Sequence, residues 1–400
     1  MTFVSLFPLS IKRVTFGRFN MQNNLLKNKY LTGLSILFSI LLFAACSKKV
    51  EETTAAESAE TPAAPAKSEV TREDRKFKIC WSIYVGWMPW DYGASSGIIK
   101  KWADKYGIEI EVTQINDYIE SINQYTAGGY DGCTMTNMDA LTIPAAGGVD
   151  STALIVGDFS NGNDGIVLKG KEALTDIKGQ TINLVELSVS HYLLARGLES
   201  VGMTEQDVTV VNTSDADMVA AYSTDDVTAV VTWNPLLSEI TSMPNAHKVF
   251  DSSSIPGEII DLMVVNTKTL EENPAFGKAL TGAWYEIMTV MSSEDASGTA
   301  VRKTLGEASG TDLAGYDAQL ASTRMFYDAG NAVEFVMGEQ VKTTMQDVAE
   351  FSLAHGLLGE GATDAGFIGI ETPAGVFGDA ENIKFRFNPD YMKLAADGAL

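Results

Sequence analysis

The chain has 400 residues, 45% of them hydrophobic, with 52 acidic against 29 basic residues and a net charge of −23. That length can carry two domains with cores of their own, and the acidity weighs against nucleic acid or an anionic membrane surface as a partner. Three histidines, His191, His247 and His355, with no close spacing among them, present no metal-ligand pattern.

Lys27 and Lys29 precede an apolar run from Leu31 to Phe43 that ends in Ala44, Ala45 and Cys46. This order reads as a secretory signal over 1–45 with a lipoprotein cleavage site, although Phe43 stands where such sites usually carry leucine. The apolar run is too short for a stable span, so cleavage before Cys46 and acylation of its thiol are expected. Translation from Met1 or from Met21 would give a complete signal. Residues 46–74 supply the lipidated cysteine and then mostly Ala, Glu, Thr, Pro and Ser, which bury too little to offset ordering entropy and read as a flexible tether. Losing the five basic residues of the leader leaves 24 against 52 acids, a mature charge of −28.

Phe77 to Cys80 reads as a short strand. The next stretch, Trp81 to Tyr92, has five aromatics in twelve residues and three of the six tryptophans. Gly86 and Pro89 break regular structure, so a loop is expected, with Trp81, Trp87 and Trp90 as flat walls for a ligand and Asp91 as a charge beside them. A helix follows over Ile98 to Tyr106, stopped by Gly107, then a strand over Ile108 to Ile115. Asp117 and Glu120 resemble a capping box opening a helix that ends at Gly128 and Gly129. Asp131 to Met135 is the third strand. Strand, helix, strand, helix, strand implies right-handed crossovers and a parallel sheet, whose ligands collect beyond the carboxyl ends of the strands. Those ends bring Thr134, Thr136, Asn137 and Asp139 beside the aromatic stretch. Cys80 and Cys133 lie inside strands, as a bridge or as two buried thiols.

A second unit of this kind starts after Gly157, with strands over Gly165 to Lys169 and Gln180 to Val185. Glu186 and Ser188 lie in the polar turn that opens a helix from His191 to Val201. Strands over Val208 to Asn212 and Val227 to Thr232 flank a helix from Asp215 to Tyr222, and the last exits at Trp233. Leu262 to Asn266 is a strand, and helices run from about Pro274 to Gly356. The chain thus reads as two interleaved α/β lobes, 75–160 plus 264–400 and 161–263, with parallel-dominated sheets and two crossings that allow hinge closure.

Leu174-Thr-Asp-Ile-Lys-Gly179, Ser190-His191-Tyr192-Leu193-Leu194 followed by Gly202, and Trp233-Asn234-Pro235 resemble the periplasmic solute-binding proteins of ABC importers, of the nitrate, sulfonate and taurine group. Thr228-Ala229 departs from that group's usual Asp-Ala. The aromatic stretch, Gly128-Gly129-Tyr130-Asp131 and Thr134 to Asp139 look most like the branch encoded with urea carboxylases, several of them regarded as guanidine carboxylases. The resemblance implies a type II periplasmic-binding-protein fold, a monomer that hands a small-molecule ligand to an ABC permease and its ATPase, no cofactor and no enzymatic activity.

The expected strand exits, 81–92, 134–142, 186–191, 232–239 and 251–261, hold no Lys or Arg but seven acids: Asp91, Asp139, Glu186, Glu239, Asp251, Glu258 and Asp261. An anion would need a cationic group or a dense set of donors there. A planar guanidinium instead fits tryptophan faces and paired carboxylates, with urea second. The candidate ligand residues are therefore Trp81, Trp87, Trp90, Asp91, Thr134, Thr136, Asn137, Asp139, Glu186, Ser188, Trp233 and Glu258. Competing readings are a thiamine-precursor pyrimidine as ligand, a related pyrimidine synthase, or an importer component for nitrate or alkanesulfonate. The synthase chemistry relies on lysine and histidine within the cleft, and the exits hold no lysine.

Overall fold

The structure is a computed structural model that describes residues 76–400. The expected signal, Cys46 and tether lie outside the described residues.

In chain order the strands are β1 (Lys76–Trp81), β2 (Glu109–Gln114), β3 (Gly132–Thr136), β4 (Ser151–Ser160), β5 (Asp164–Lys169), β6 (Thr181–Leu184), β7 (Thr209–Asn212), β8 (Ala229–Trp233), β9 (Ala246–Asp251), β10 (Ile260–Asn266), β11 (Thr323–Met325), β12 (Gly369–Thr372), β13 (Gly375–Phe377) and β14 (Ile383–Phe387). Among the described residues they form a nine-stranded sheet, ordered β13-β12-β14-β4-β10-β3-β1-β2 with β11 on β4, and a five-stranded sheet, ordered β7-β6-β8-β5-β9. Each sheet is mixed. The parallel pairs β1 with β2 and β3, and β6 with β7 and β8, come from the strand-helix-strand units. The crossing strands add antiparallel pairs, β10 with β3 and β4, and β5 with β8 and β9. The chain leaves the larger sheet after Ser160 and is back in it at Ile260, so the second crossing occupies 252–259 rather than reaching 263.

Local chemistry explains the elements that carry the site. The helix α1 (Pro89–Ser95) starts at the proline expected to break structure, because a proline in the first turn forfeits only an N–H that has no helical partner. Trp90 is therefore a helical core residue, 1% exposed and stacked on Trp284 at 5.1 Å between ring centroids. Trp81 closes β1 and is buried as well. After α2 (Ile98–Lys105) and β2, Asp117 accepts the Glu120 N–H at 2.9 Å and starts α3 (Tyr118–Thr126), which ends where Gly128 turns with φ +81°. Cys80 and Cys133 face each other on β1 and β3 as buried free thiols.

The short α4 (Asn137–Ala140) continues β3. In the smaller lobe, α5 (Val189–Ser200) is capped by Ser188, which accepts the Ser190 N–H, and α6 (Asp215–Tyr222) follows β7. No helix among the described residues is long and apolar enough to cross a membrane.

Candidate functional site

The carboxyl ends of β1, β3 and β8 meet the crossing strands around a cavity whose walls come from both lobes. Tyr84, Trp87 and Tyr118 belong to the larger lobe, and Val189 and Trp233 to the smaller. The rings form a chain of close contacts: Tyr84 to Trp87 at 4.9 Å, Trp87 to Tyr118 at 5.6 Å, and Tyr118 to Trp233 at 5.6 Å. Trp233 Nε1 donates to the Ile83 carbonyl at 3.3 Å, tying the lobes together. What remains is a void of about 10 Å³, room for roughly one water centre. That leaves no room for a solute in this arrangement of the lobes.

Two carboxylates line this void, Asp164 at the start of β5 and Asp261 on β10. Two more stand directly behind it. Tyr84 Oη lies 2.8 Å from Asp158 Oδ1 and 2.9 Å from Asp261 Oδ2. Tyr118 Oη donates to Asp139 Oδ2 at 2.6 Å, Thr136 Oγ1 donates to the same oxygen at 2.8 Å, and the Thr136 N–H donates to Tyr118 Oη at 3.1 Å. All four acids are buried, and none of them pairs with a Lys or Arg among the described residues. Burial pushes the carboxyls up: Asp139 to about 6, against bonds from Tyr118 and Thr136 that pull it down, and Asp164 to about 7, against a 2.5 Å bond from Ser160. Trp87 supplies the opposite feature, an indole N–H with no partner.

Several residues expected at the site are elsewhere. Trp81 and Trp90 are core, and Asp91 is half-buried on α1, outside the lining. Thr134 is buried on β3 without a partner for its hydroxyl, and Asn137 is structural, accepting the Ile260 N–H and donating to the Glu258 carbonyl. Glu186 is exposed, and Ser188 is occupied as a helix cap. Glu258 is bound by Arg196 Nε at 2.8 Å and Tyr192 Oη at 2.7 Å, and Asp251 by Lys248 at 2.7 Å, so neither is free to meet a cation. Asp139 sits behind Tyr118 and Thr136 rather than in the lining. Trp87, Thr136 and Trp233 are in the wall. Tyr84, Tyr118, Asp158 and Asp164 went unrecognised, although Asp158 and Asp164 flank the crossing expected near 160 and could have been read from that position.

Two larger surface grooves carry acidic linings. One, of about 750 Å³, has Asp215 and Glu239 in its lining, and the other, of about 470 Å³, has Asp117, Glu120, Glu186 and Asp215. Neither lining includes Lys or Arg.

The fold also brings together two of the histidines that are far apart in sequence. Glu205 lies 2.5 Å from His191 Nε2 and 2.8 Å from His355 Nε2, the latter in the C-terminal part of the larger lobe. Two histidines and a carboxylate at this spacing could hold a metal. His191 Nδ1, however, accepts the Leu187 N–H, which leaves the ring's own proton on Nε2 and no lone pair free for an ion, and Glu205 Oε1 beside it makes no hydrogen bond. The cluster works as a contact between lobes, and the two rings hold the Glu205 carboxyl below its ordinary value.

Residues 94–288 match the protein family described as NMT1/THI5 like. No curated protein sequence matches the chain. Among solved structures it is similar to the alkanesulfonate-binding protein of Xanthomonas axonopodis pv. citri bound to MOPS, with 17% identity and a TM-score of 0.58 over 72% of this chain and 95% of that one. It is also similar to the periplasmic aliphatic sulphonate binding protein of Escherichia coli, at 17% identity and a TM-score of 0.58 over 72% and 94%. A third likeness is to the periplasmic nitrate-binding protein of Synechocystis PCC 6803, at 12% identity and 0.57 over 81% and 89%. These likenesses establish the fold, the two-lobed α/β arrangement of periplasmic binding proteins.

Proposed function

We propose that the protein is the solute-binding component of an ABC importer and that its ligand is a small planar cation, guanidinium or a close mono-substituted relative. One observation carries the choice of ligand: four buried carboxylates stand around an aromatic cage, and among the described residues no Lys or Arg pairs with them. Burying unpaired carboxylates costs several kcal/mol each unless they are protonated or paired. A guanidinium would offer N–H edges to Asp164 and Asp261 and its faces to Trp87, Tyr118 and Trp233. Each desolvated face adds on the order of 1–2 kcal/mol.

The structural relatives bind sulfonate and nitrate by name, but in this chain two carboxylates line the void, and an anion there would meet repulsion without compensation. For a pyrimidine synthase, the lining of the void offers no lysine or histidine. Urea is the second reading. The unpartnered Trp87 N–H favours it, since urea brings a carbonyl to accept that bond.

A thermal-shift panel of guanidinium, methylguanidine, urea, agmatine, taurine and nitrate, at concentrations below any denaturing range, tests the assignment. Guanidinium at a hundred times its dissociation constant should stabilise the protein by about 2.7 kcal/mol. Stabilisation by taurine or nitrate with none by guanidinium or urea would reverse the reading.

The placement of the protein belongs to the same proposal: export, cleavage before Cys46, and a lipid anchor at a membrane that holds the permease and its ATPase. The support is the sequence order of signal, cysteine and polar tether. Labelling with a palmitate analogue should mark the protein and leave Cys46→Ala unmarked. Label retained in the variant would rule the anchor out.

A further inference from the structure

We infer that the ligand cation takes the place of a proton held by Tyr84, Asp158 and Asp261, with Asp261 as its direct partner and Asp158 as the group that sets how tightly the proton is kept. The inference rests on the proposed cationic ligand and adds what happens to the charge of the site when that ligand arrives.

The argument is a count of protons. Tyr84 Oη makes two contacts of hydrogen-bond length, to Asp158 Oδ1 at 2.8 Å and to Asp261 Oδ2 at 2.9 Å. A phenol has one proton and can satisfy one of these oxygens. The other contact, if both carboxyls were ionised, would set oxygen lone pairs against each other in a buried site. A second proton on one carboxyl removes the conflict. Asp158 and Asp261 are also directly opposite each other on β4 and β10, so their charges meet at close range. Two carboxyls in this relation do not both ionise easily. Burial pushes both above the ordinary carboxylate range: Asp158 to about 7, with Asp164 adding to the rise while Tyr84 and Asp261 pull it down, and Asp261 well above that range, raised further by the charge of Asp158.

The groups that face the pair offer no alternative source of positive charge. Asp164 faces the pair from the cavity side as a further carboxyl, itself pushed up to about 7, and Asp139 acts on Asp164 in turn. Tyr316 and Tyr327 lie behind Asp158 and are neutral donors, with the Tyr316 hydroxyl spent on the Val85 carbonyl. Arg302, the cation beyond Tyr327, is committed to Asp317 and to the Met291 and Ser293 carbonyls. The back of the cluster is closed by Gly86, where even a Cβ would fall 2.4 Å from Asp158 Oδ2 and 2.6 Å from Tyr84 Cε1. Asp158 Oδ2 has no other partner. Of the pair, Asp261 alone is in the lining of the void, so a cation meets this carboxyl and leaves Asp158 behind it.

Binding then proceeds as an exchange. The O–H bond of protonated Asp261 breaks, its proton goes to solvent, and an N–H of the cation donates to the vacated oxygen. No other bond changes. The sign follows: protons compete with the cation, so affinity rises with pH, by up to about tenfold per unit while a whole proton is released. It levels off once Asp261 is already ionised. Urea, which carries no charge, has no proton to displace.

Isothermal titration of the full chain with guanidinium chloride, in phosphate and in Tris at several values between about pH 5 and 8, reads the proton count from the difference in heat between buffers. Between one and two protons released at the acid end, one from Asp261 and up to one from Asp164, whose carboxyl burial also pushes up to about 7, and fewer as the pH rises, is the expected result, with none released by urea. Asp158→Asn removes the repelling partner, so Asp261 ionises at lower pH; the variant should bind guanidinium better than the wild type at the acid end and release fewer protons there, while the proton from Asp164 is still released. Guanidinium binding with equal heats in both buffers across the range would overturn the exchange while leaving the proposed ligand in place. Undiminished release in Asp158→Asn would overturn the assignment to this pair. Absence of guanidinium binding in every buffer would instead refute the proposed function. If Asp158→Asn does not fold, the wild-type buffer series alone decides whether a proton is exchanged.

Discussion

Asp164→Asn and Asp261→Asn are each expected to weaken guanidinium binding by roughly two to four powers of ten and to change urea binding far less. Removing one partner of a desolvated, hydrogen-bonded charge pair costs about 3–5 kcal/mol, and each 1.4 kcal/mol is tenfold in affinity. The two residues approach the void from different lobes, Asp164 through β5 and Asp261 through β10, so either loss leaves one edge of the cation without its acceptor. The isosteric amide keeps the volume, which separates the charge effect from packing. Asp91→Asn, Glu186→Gln and Glu258→Gln serve as comparisons. Asp91 is outside the lining, Glu186 is on a groove wall, and Glu258 is already held by Arg196, so none should shift the affinity for guanidinium more than severalfold. Titration calorimetry of the five variants checks the ranking, and equal losses in Asp91→Asn and Asp261→Asn would return the counter-ion to the aromatic stretch.

Trp90→Ala is expected to destabilise the fold by about 3–5 kcal/mol, the range for deleting a large buried aromatic side chain. Its ring is 1% exposed and stacked on Trp284, while the neighbouring Gly93 is so closely packed that a Cβ there would lie 2.5 Å from Ile287 Cδ1. The residue holds α1 against the long helix Pro274–Met291 and makes no part of the cavity wall. Denaturant unfolding should therefore show a large drop in midpoint. Guanidinium affinity, measured under conditions where the variant remains folded, should be nearly unchanged. Trp87→Ala should show the opposite emphasis, with loss of binding as its leading effect.

The contrast between these two tryptophans marks where the sequence was readable. Strand-helix-strand order, the Asp117 cap and the turn at Gly128 are local chemistry, and they place β1, α3 and β3 within a residue or two. The sign of charge at the strand exits was legible too, since it needs only composition. Which tryptophan faces a ligand was not. Pro89 could break a strand or begin a helix, and the helix it begins turns Trp90 inward while Trp87 stays at the cavity. Strand β4 went unassigned because its residues are nearly all buried and show no alternation to read. With β4 hidden, Asp158 had no strand to sit on and no partner in β10. Tyr84 and Tyr118 look like ordinary apolar positions until two lobes bring Asp158, Asp261 and Asp139 to their hydroxyls.

The acid-lined surface grooves bear on speed rather than on fit. Ions of one sign gathered along a cleft with low-dielectric walls draw in opposite charge before any contact is made, and this guidance is screened over about 10 Å in 0.1 M salt. The proposed cation would therefore be captured fastest in dilute water. In brine the capture step would slow markedly, while the release step, governed by the buried carboxylates and the rings, would keep its pace.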